Sequence, residues 1–206
     1  MKYKVYAAIN IFGLSVGIAA SLLIWQMLRY EMQYNHNFAQ HERIGRLYMR
    51  TIGNPSGDRA DRGVTVPAMI EFQQKITDIE ASSRIREDWP TITVPDPAGG
   101  PPLKKISAAN ENIGFFVEPG FFKVFDLHWV AGSPSQFEEL GSTVLNRSSA
   151  EILFGTPEAA IGKNIMLDNT VPSIVRGVYE DLPHNCDIAA YALTSFVTLR
   201  AHRDAY

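Results

Sequence analysis

The chain has 206 residues and a formal net charge of −3, with 46% apolar and 20% charged residues. That is the composition of a folded chain, one domain with at most an appendage, and its near-neutral balance gives no support for a nucleic-acid surface. A single cysteine, Cys186, excludes an intramolecular disulfide framework and any multi-cysteine zinc or iron–sulfur site.

The first element is a membrane span. From Val5 to Met27 there are 23 positions without a charge, and a helix of that length rises roughly 35 Å, enough for a hydrocarbon core of about 30 Å. Tyr3 and Tyr6 lie toward one end and Trp25 and Tyr30 toward the other, where interfacial aromatics belong. A cleaved signal peptide is the rival reading, with Ala19 and Ala20 near its cleavage site. Against it, Leu22, Leu23, Ile24 and Trp25 carry the apolar run past the usual core of about 7–15 residues. Lys2 and Lys4 precede the span, whereas Arg29 and Glu31 cancel after it, so the positive-inside rule puts the N-terminus in the cytoplasm and everything after residue 30 outside. Gly13, Gly17 and Ser21 stand four apart and form a row of small residues on one helix face, the pattern of a span that packs against other membrane helices.

Residues 1–38 are therefore read as N-terminus, membrane helix and its outer extension, with a net charge of +2. Residues 39–206 carry a net −5, the solvated surface of an external α/β (α+β) domain of mixed sheet and short helices. The helix is expected to run on toward Phe38, followed by a strand over Ile44–Thr51 and a turn-rich loop over Asn54–Arg62. Pro67 suits the first turn of a helix whose apolar face is Met69, Ile70, Phe72 and Ile76. A strand is expected over Ile79–Arg86. Five prolines between Pro90 and Pro102 mark a loop in which Ile92 and Val94 make a short edge strand. Ile113–Val117 reads as a strand and Pro119–Phe125 as a short helix. Phe121, Phe122 and Phe125 there form a cluster suited to a core or to docking. Thr143–Leu145 reads as a strand, Asn146 as the N-cap of a helix over Arg147–Phe154, and Gly155 as its stop. Asn164–Leu167 and Ser173–Tyr179 flank Asp168-Asn169 as a hairpin.

Chemistry-bearing patterns are few. Gly13-Leu14-Ser15-Val16-Gly17 matches a hydrolase nucleophile elbow, but that chemistry needs a strained strand-to-helix turn, not the middle of an apolar helix. Gly155 and Gly162 are too far apart for a phosphate-binding loop, and Asn164 replaces its hydroxyl residue. His36 and His41 lack the spacing of a helical metal pair, and His184, Cys186 and Asp187 read as a surface loop. No catalytic, cofactor or metal residue is assigned.

Several segments are familiar. Ile9-Asn10-Ile11-Phe12-Gly13-Leu14-Ser15-Val16-Gly17 resembles the first membrane helix of MacB/FtsX-type ABC transporter permeases, as do Tyr34-Asn35 and then His41-Glu42-Arg43-Ile44 with Leu47-Tyr48. The run from Val117 to Asp126 resembles the family's V-D-P-x-F-F-x-V-F-D segment. Val144-Leu145-Asn146 with Ala150, Phe154-Gly155 and Ile161-Gly162-Lys163 resembles its strand, helix and turn, and Gly177 to Asn185 its G-V-x-x-D-L-P-x-N strand end. The resemblance covers nearly the whole chain.

It implies a periplasmic core domain carried on the first membrane helix of a permease subunit in the bacterial inner membrane. A separate cytoplasmic ATPase would bind ATP and drive export or mechanotransmission. The partners it implies are that ATPase, engaged through regions of the permease not in this chain, other permease helices or a second permease copy, a periplasmic adaptor and the bilayer. The family has further spans after this domain, and no second run of about 20 apolar residues follows here. The chain is thus expected to be the front piece of a permease, incomplete at its C-terminal end. The alternative is a single-pass anchored periplasmic binding or scaffold module. An anchored hydrolase would need a convergent Ser/His/Asp or metal cluster, and the sequence offers none.

Overall fold

A computed structural model describes residues 2–51, 59–61, 63–107 and 113–202. The first helix, α1, spans Lys2–Met32. Its stretch Tyr3–Met32 is long and apolar enough to cross a membrane, and none of it is buried against protein. At 1.5 Å per residue it extends about 45 Å, longer than the hydrocarbon core. It does not continue to Phe38. Its regular ladder stops at Met32, and the chain turns through residues 33–40, with Asn35 in the left-handed region at φ +61°. Asn tolerates that conformation better than most residues and so serves as a helix stop.

The strand expected over Ile44–Thr51 is confined to β1 (Met49–Thr51), which pairs antiparallel with β2 (Arg59–Asp61). A strand needs a partner strand for its backbone groups, and among the described residues none pairs with 44–48. β2 falls inside the segment expected as a loop over Asn54–Arg62; Asn54–Asp58 and Arg62 lie outside the described residues. Helix α2 (Val66–Lys75) starts as expected, with Thr65 at the N-cap position and Pro67 in the first turn.

The remaining strands form one mixed sheet. They are β3 (Ile85–Asp88), β4 (Ile92–Val94), β5 (Lys104–Ile106), β6 (Gly114–Val117), β7 (Trp129–Gly132), β8 (Ser142–Asn146), β9 (Asn164–Leu167), β10 (Val171–Tyr179) and β11 (Ala192–Ser195). Their order is β3-β6-β11-β8-β10-β9-β4-β5. The longest strand, β10, pairs parallel with β8 on one side; on the other it pairs first with β9 and then with β7. β4 is not the edge strand the prolines suggested. It pairs with β9 on one side and β5 on the other, and the lysine-bearing β5 takes the edge. β5, β7 and β11 were not legible from alternation, because each is only three or four residues long. The short helices are α3 (Phe121–Val124), α4 (Arg147–Phe154), α5 (Pro157–Ala160) and α6 (Phe196–Ala201).

Local chemistry explains the best-predicted third. Asn146 Oδ1 accepts from the Ser149 amide at 3.0 Å, capping α4, and Gly155 ends that helix at φ +90°. Asp168 and Asn169 both take positive φ, which turns β9 into β10. One face of the sheet buries an aliphatic core of Ile92, Leu145, Leu153, Ile165, Leu167 and Val175, covered by α4 and α5. The opposite face buries Phe115, Phe121, Phe137, Tyr179 and Leu193. A bulge near Arg176 shifts β10 so that Val175 and Val178 share the aliphatic side while Tyr179 reaches the aromatic one.

Candidate functional site at the helix–domain junction

Below Met32 the membrane helix meets the loop joining β10 to β11. The Asn35 amide donates to the Asn185 carbonyl at 2.9 Å. Its side chain then makes a reciprocal pair: Asn35 Nδ2 donates to Asp187 Oδ2 at 2.9 Å, and the Asp187 amide donates to Asn35 Oδ1 at 2.8 Å. Asn185 Nδ2 reaches back to the Gln33 carbonyl at 3.2 Å. Four hydrogen bonds thus join segments about 150 positions apart in the chain. An αL asparagine is suited to this: its turn ends the helix and aims its carboxamide, with donor and acceptor side by side, at an amide–carboxylate pair.

Under this clasp lies an apolar plug. Phe38 is 4% exposed and meets Phe125 edge-on, with ring centroids 5.1 Å apart, in the same core as Cys186 and Ile188. Burial pushes the Cys186 thiol above its ordinary range. Tyr34 is also shifted upward, first by loss of solvent and then by the negative charge of Asp187. Sequence patterns mark none of the clasp residues Gln33, Asn35, Asn185 and Asp187 as a site, and they give the loop holding Asp187 as plain surface. The available signal is an asparagine three residues beyond the end of a long apolar helix.

The Gly177–Asn185 segment now has a physical account. Gly177 packs under Trp129, whose ring would lie 2.7 Å from any added Cβ. Glu180 takes both prongs of Arg147 at 2.9 and 2.7 Å, and Asp181 Oδ1 accepts from the Ser148 amide at 3.1 Å, binding the loop to the start of α4. Within the Val117–Asp126 segment, Phe121 is fully buried, and Phe122 and Phe125 are half-buried against it and against Phe137 or Phe38. Gly120 is required where it stands, since a Cβ would strike the Ser82 carbonyl.

In α1, Gly13 and Gly17 have nothing within 4 Å of an added Cβ, so this face is open. Ser21 Oγ donates to the Gly17 carbonyl at 2.9 Å, and Ser15 Oγ to the Ile11 carbonyl at 2.7 Å, so neither hydroxyl is set up as a nucleophile. The His36 and His41 rings meet at a tilt of 36° with centroids 4.3 Å apart. Among the described residues no three His, Cys, Asp or Glu side chains converge as a metal group would require.

The MacB-like periplasmic core domain model matches residues 7–205. The chain belongs to the MacB-like periplasmic core domain family. Its fold is similar to the extracellular domain of the noncanonic ABC-type transporter YknZ from Gram-positive bacteria, at TM-score 0.52 and 14% identity, over 77% of this chain and 75% of that one. The periplasmic region of MacB from Actinobacillus actinomycetemcomitans matches at TM-score 0.49 and 16% identity, over 66% of this chain. This MacB-like chain spans 57% of that structure. No curated protein matches the sequence. The mixed α/β sheet with short helices and one long apolar N-terminal helix agrees with the fold expected from sequence.

Proposed function

We propose that the chain provides the first membrane helix and the periplasmic domain of an ABC transporter permease subunit. In this reading the domain couples motion driven by a separate cytoplasmic ATPase to export or mechanotransmission across the envelope. The N-terminus is cytoplasmic, the membrane is the bacterial inner membrane, and nucleotide binds the ATPase rather than this chain. Partners are that ATPase, neighbouring permease helices or a second copy packed on Gly13, Gly17 and Ser21, and a periplasmic adaptor.

The carrying observation is where the clasp attaches. Asn35 grips the loop between β10 and β11, which flank β8 at the centre of the sheet. A tilt of α1 is therefore delivered to the middle of the domain through hydrogen bonds and a buried ring, with no flexible linker between. Contiguous packing of this kind can carry a displacement between sites.

The test is made in native membranes. Single cysteines at Lys2 and Lys105, with Cys186 replaced by Ser, are probed with a membrane-impermeant thiol reagent on spheroplasts, and the chain is then crosslinked and purified. Position 105 should label from outside, position 2 only after permeabilisation, and an ATP-binding cassette protein should co-purify. Gly13→Leu together with Gly17→Leu should weaken association with other spans. Inverted labelling, or no ATPase after crosslinking, would overturn the proposal.

A further inference from the structure

The membrane helix carries one polar side chain that its own backbone does not satisfy. Apart from the interfacial aromatics, the polar residues between Val5 and Met27 are Asn10, Ser15, Ser21 and Gln26. Both serine hydroxyls donate to a carbonyl one turn back, at 2.7 and 2.9 Å. Gln26 lies about 15 Å along the axis from the middle of the run, at the interface itself. Asn10 differs from all three, because its carboxamide makes no hydrogen bond among the described residues.

Its depth makes that costly. Asn10 stands about 9 Å from the middle of the run, so it lies roughly 6 Å inside a half-core of about 15 Å. A side chain that short does not reach the headgroups from there, and hydrocarbon offers an amide no partner. A neighbouring helix does. The direction of the group agrees with this. At 100° per residue Gly17 and Ser21 lie within about 20° of Asn10 around the helix, and Gly13 within about 60°. A Cβ added at Gly13 or Gly17 would meet nothing within 4 Å. The unpaired carboxamide and the shallow strip that admits a second backbone thus share one face, whereas Phe12, Ala19 and Leu23 point away from it.

We infer that this face of α1 pairs with α1 of a second copy of this chain, in parallel, with the two Asn10 carboxamides hydrogen-bonded to each other. A carboxamide carries a donor and an acceptor side by side, so it is complementary to itself. A second copy brings that group at the same depth and in the same orientation, and a two-fold axis sets residue 10 opposite residue 10. Gly13 and Gly17 let the backbones approach closely enough for two short side chains to meet. The inference rests on α1 being a membrane span, as proposed above, and names the second copy as what covers its open face.

The experiment uses the purified full chain in vesicles of phosphatidylethanolamine and phosphatidylglycerol, where a second copy is the sole protein partner. Copies carrying Cys186→Ser and Lys105→Cys are labelled with donor or acceptor dye, and energy transfer is followed as the chain is diluted with lipid. Transfer should exceed that of randomly placed copies and fall when unlabelled chain is added. Asn10→Leu should weaken association about threefold to thirtyfold, the range for one interhelical hydrogen-bonded pair, while Asn10→Gln keeps part of it. Because Asn10→Leu makes the span more apolar, that loss cannot come from poorer insertion. In the Cys186→Ser chain, oxidation with copper phenanthroline should join copies through Leu14→Cys or Ser21→Cys but not through Phe12→Cys or Ala19→Cys. Random-level transfer, an Asn10→Leu chain that associates like the parent, or crosslinks spread evenly around the helix would overturn the inference. Labelling of Ser21→Cys by a membrane-impermeant thiol reagent would instead show that the span itself had been misread.

Discussion

The two faces of the sheet are built from different residues, and only one is joined to the membrane helix. The aliphatic face is closed by α4 and α5, elements adjacent in sequence to the strands they cover. The aromatic face is closed by distant pieces: α3, Phe137, the β10–β11 loop, and Phe38 from just beyond the span. Branched aliphatic side chains suit a local helix-on-sheet layer. Rings suit a junction, because one large flat side chain fills the gap between elements that meet at irregular angles and makes specific edge contacts. The contrast suggests that one face holds the domain together and the other also receives the helix.

The largest test of that division compares buried truncations. Phe38→Ala and Ile165→Ala should each cost the domain about 2–5 kcal/mol, measured as the shift in its unfolding midpoint. Only Phe38→Ala should also accelerate amide exchange at residues 185–188 while leaving β9 and β10 protected. Equal acceleration in both variants would erase the distinction between the faces.

A smaller effect is expected at the clasp. Asn35→Gly keeps the left-handed turn but removes both side-chain hydrogen bonds, for a loss of about 1–3 kcal/mol. Spin labels on the last turn of α1 and on β5 should show a broadened distance distribution, with the domain melting only slightly earlier. A distribution as narrow as that of the parent would mean that the Phe38 plug alone sets the angle.

The smallest effect is one of pH, at the start of the aromatic segment. Burial alone would raise the Glu118 carboxyl, but hydrogen bonds and charge from Arg84 outweigh it and hold the group below its usual range. A depressed carboxyl contributes stability above its unfolded value of about 4.3 and loses it as pH falls through the lower folded value. The melting temperature should therefore drop below about pH 4.3, and more shallowly in Glu118→Gln. An identical acid slope in that variant would show that the Arg84–Glu118 pair does not contribute to this loss.

Much was legible without coordinates because it depends on local physics. An uncharged run of 23 residues is long enough to cross a bilayer, which can be read directly. Asn146, Gly155 and the Asp168-Asn169 pair act on backbone groups within a few positions, so cap, stop and turn could be read directly. Tertiary structure alone decided the rest. The short strands β5, β7 and β11 exist because neighbours complete their ladders, which no three- or four-residue window reveals. Asn35 and Asp187 look like ordinary turn residues until the fold brings them within 3 Å. Sequence by itself determined the span, the fold class and the family likeness. Which loop the helix grips, and that it grips the centre of the sheet, depended on contacts between residues about 150 positions apart, which local preference does not encode.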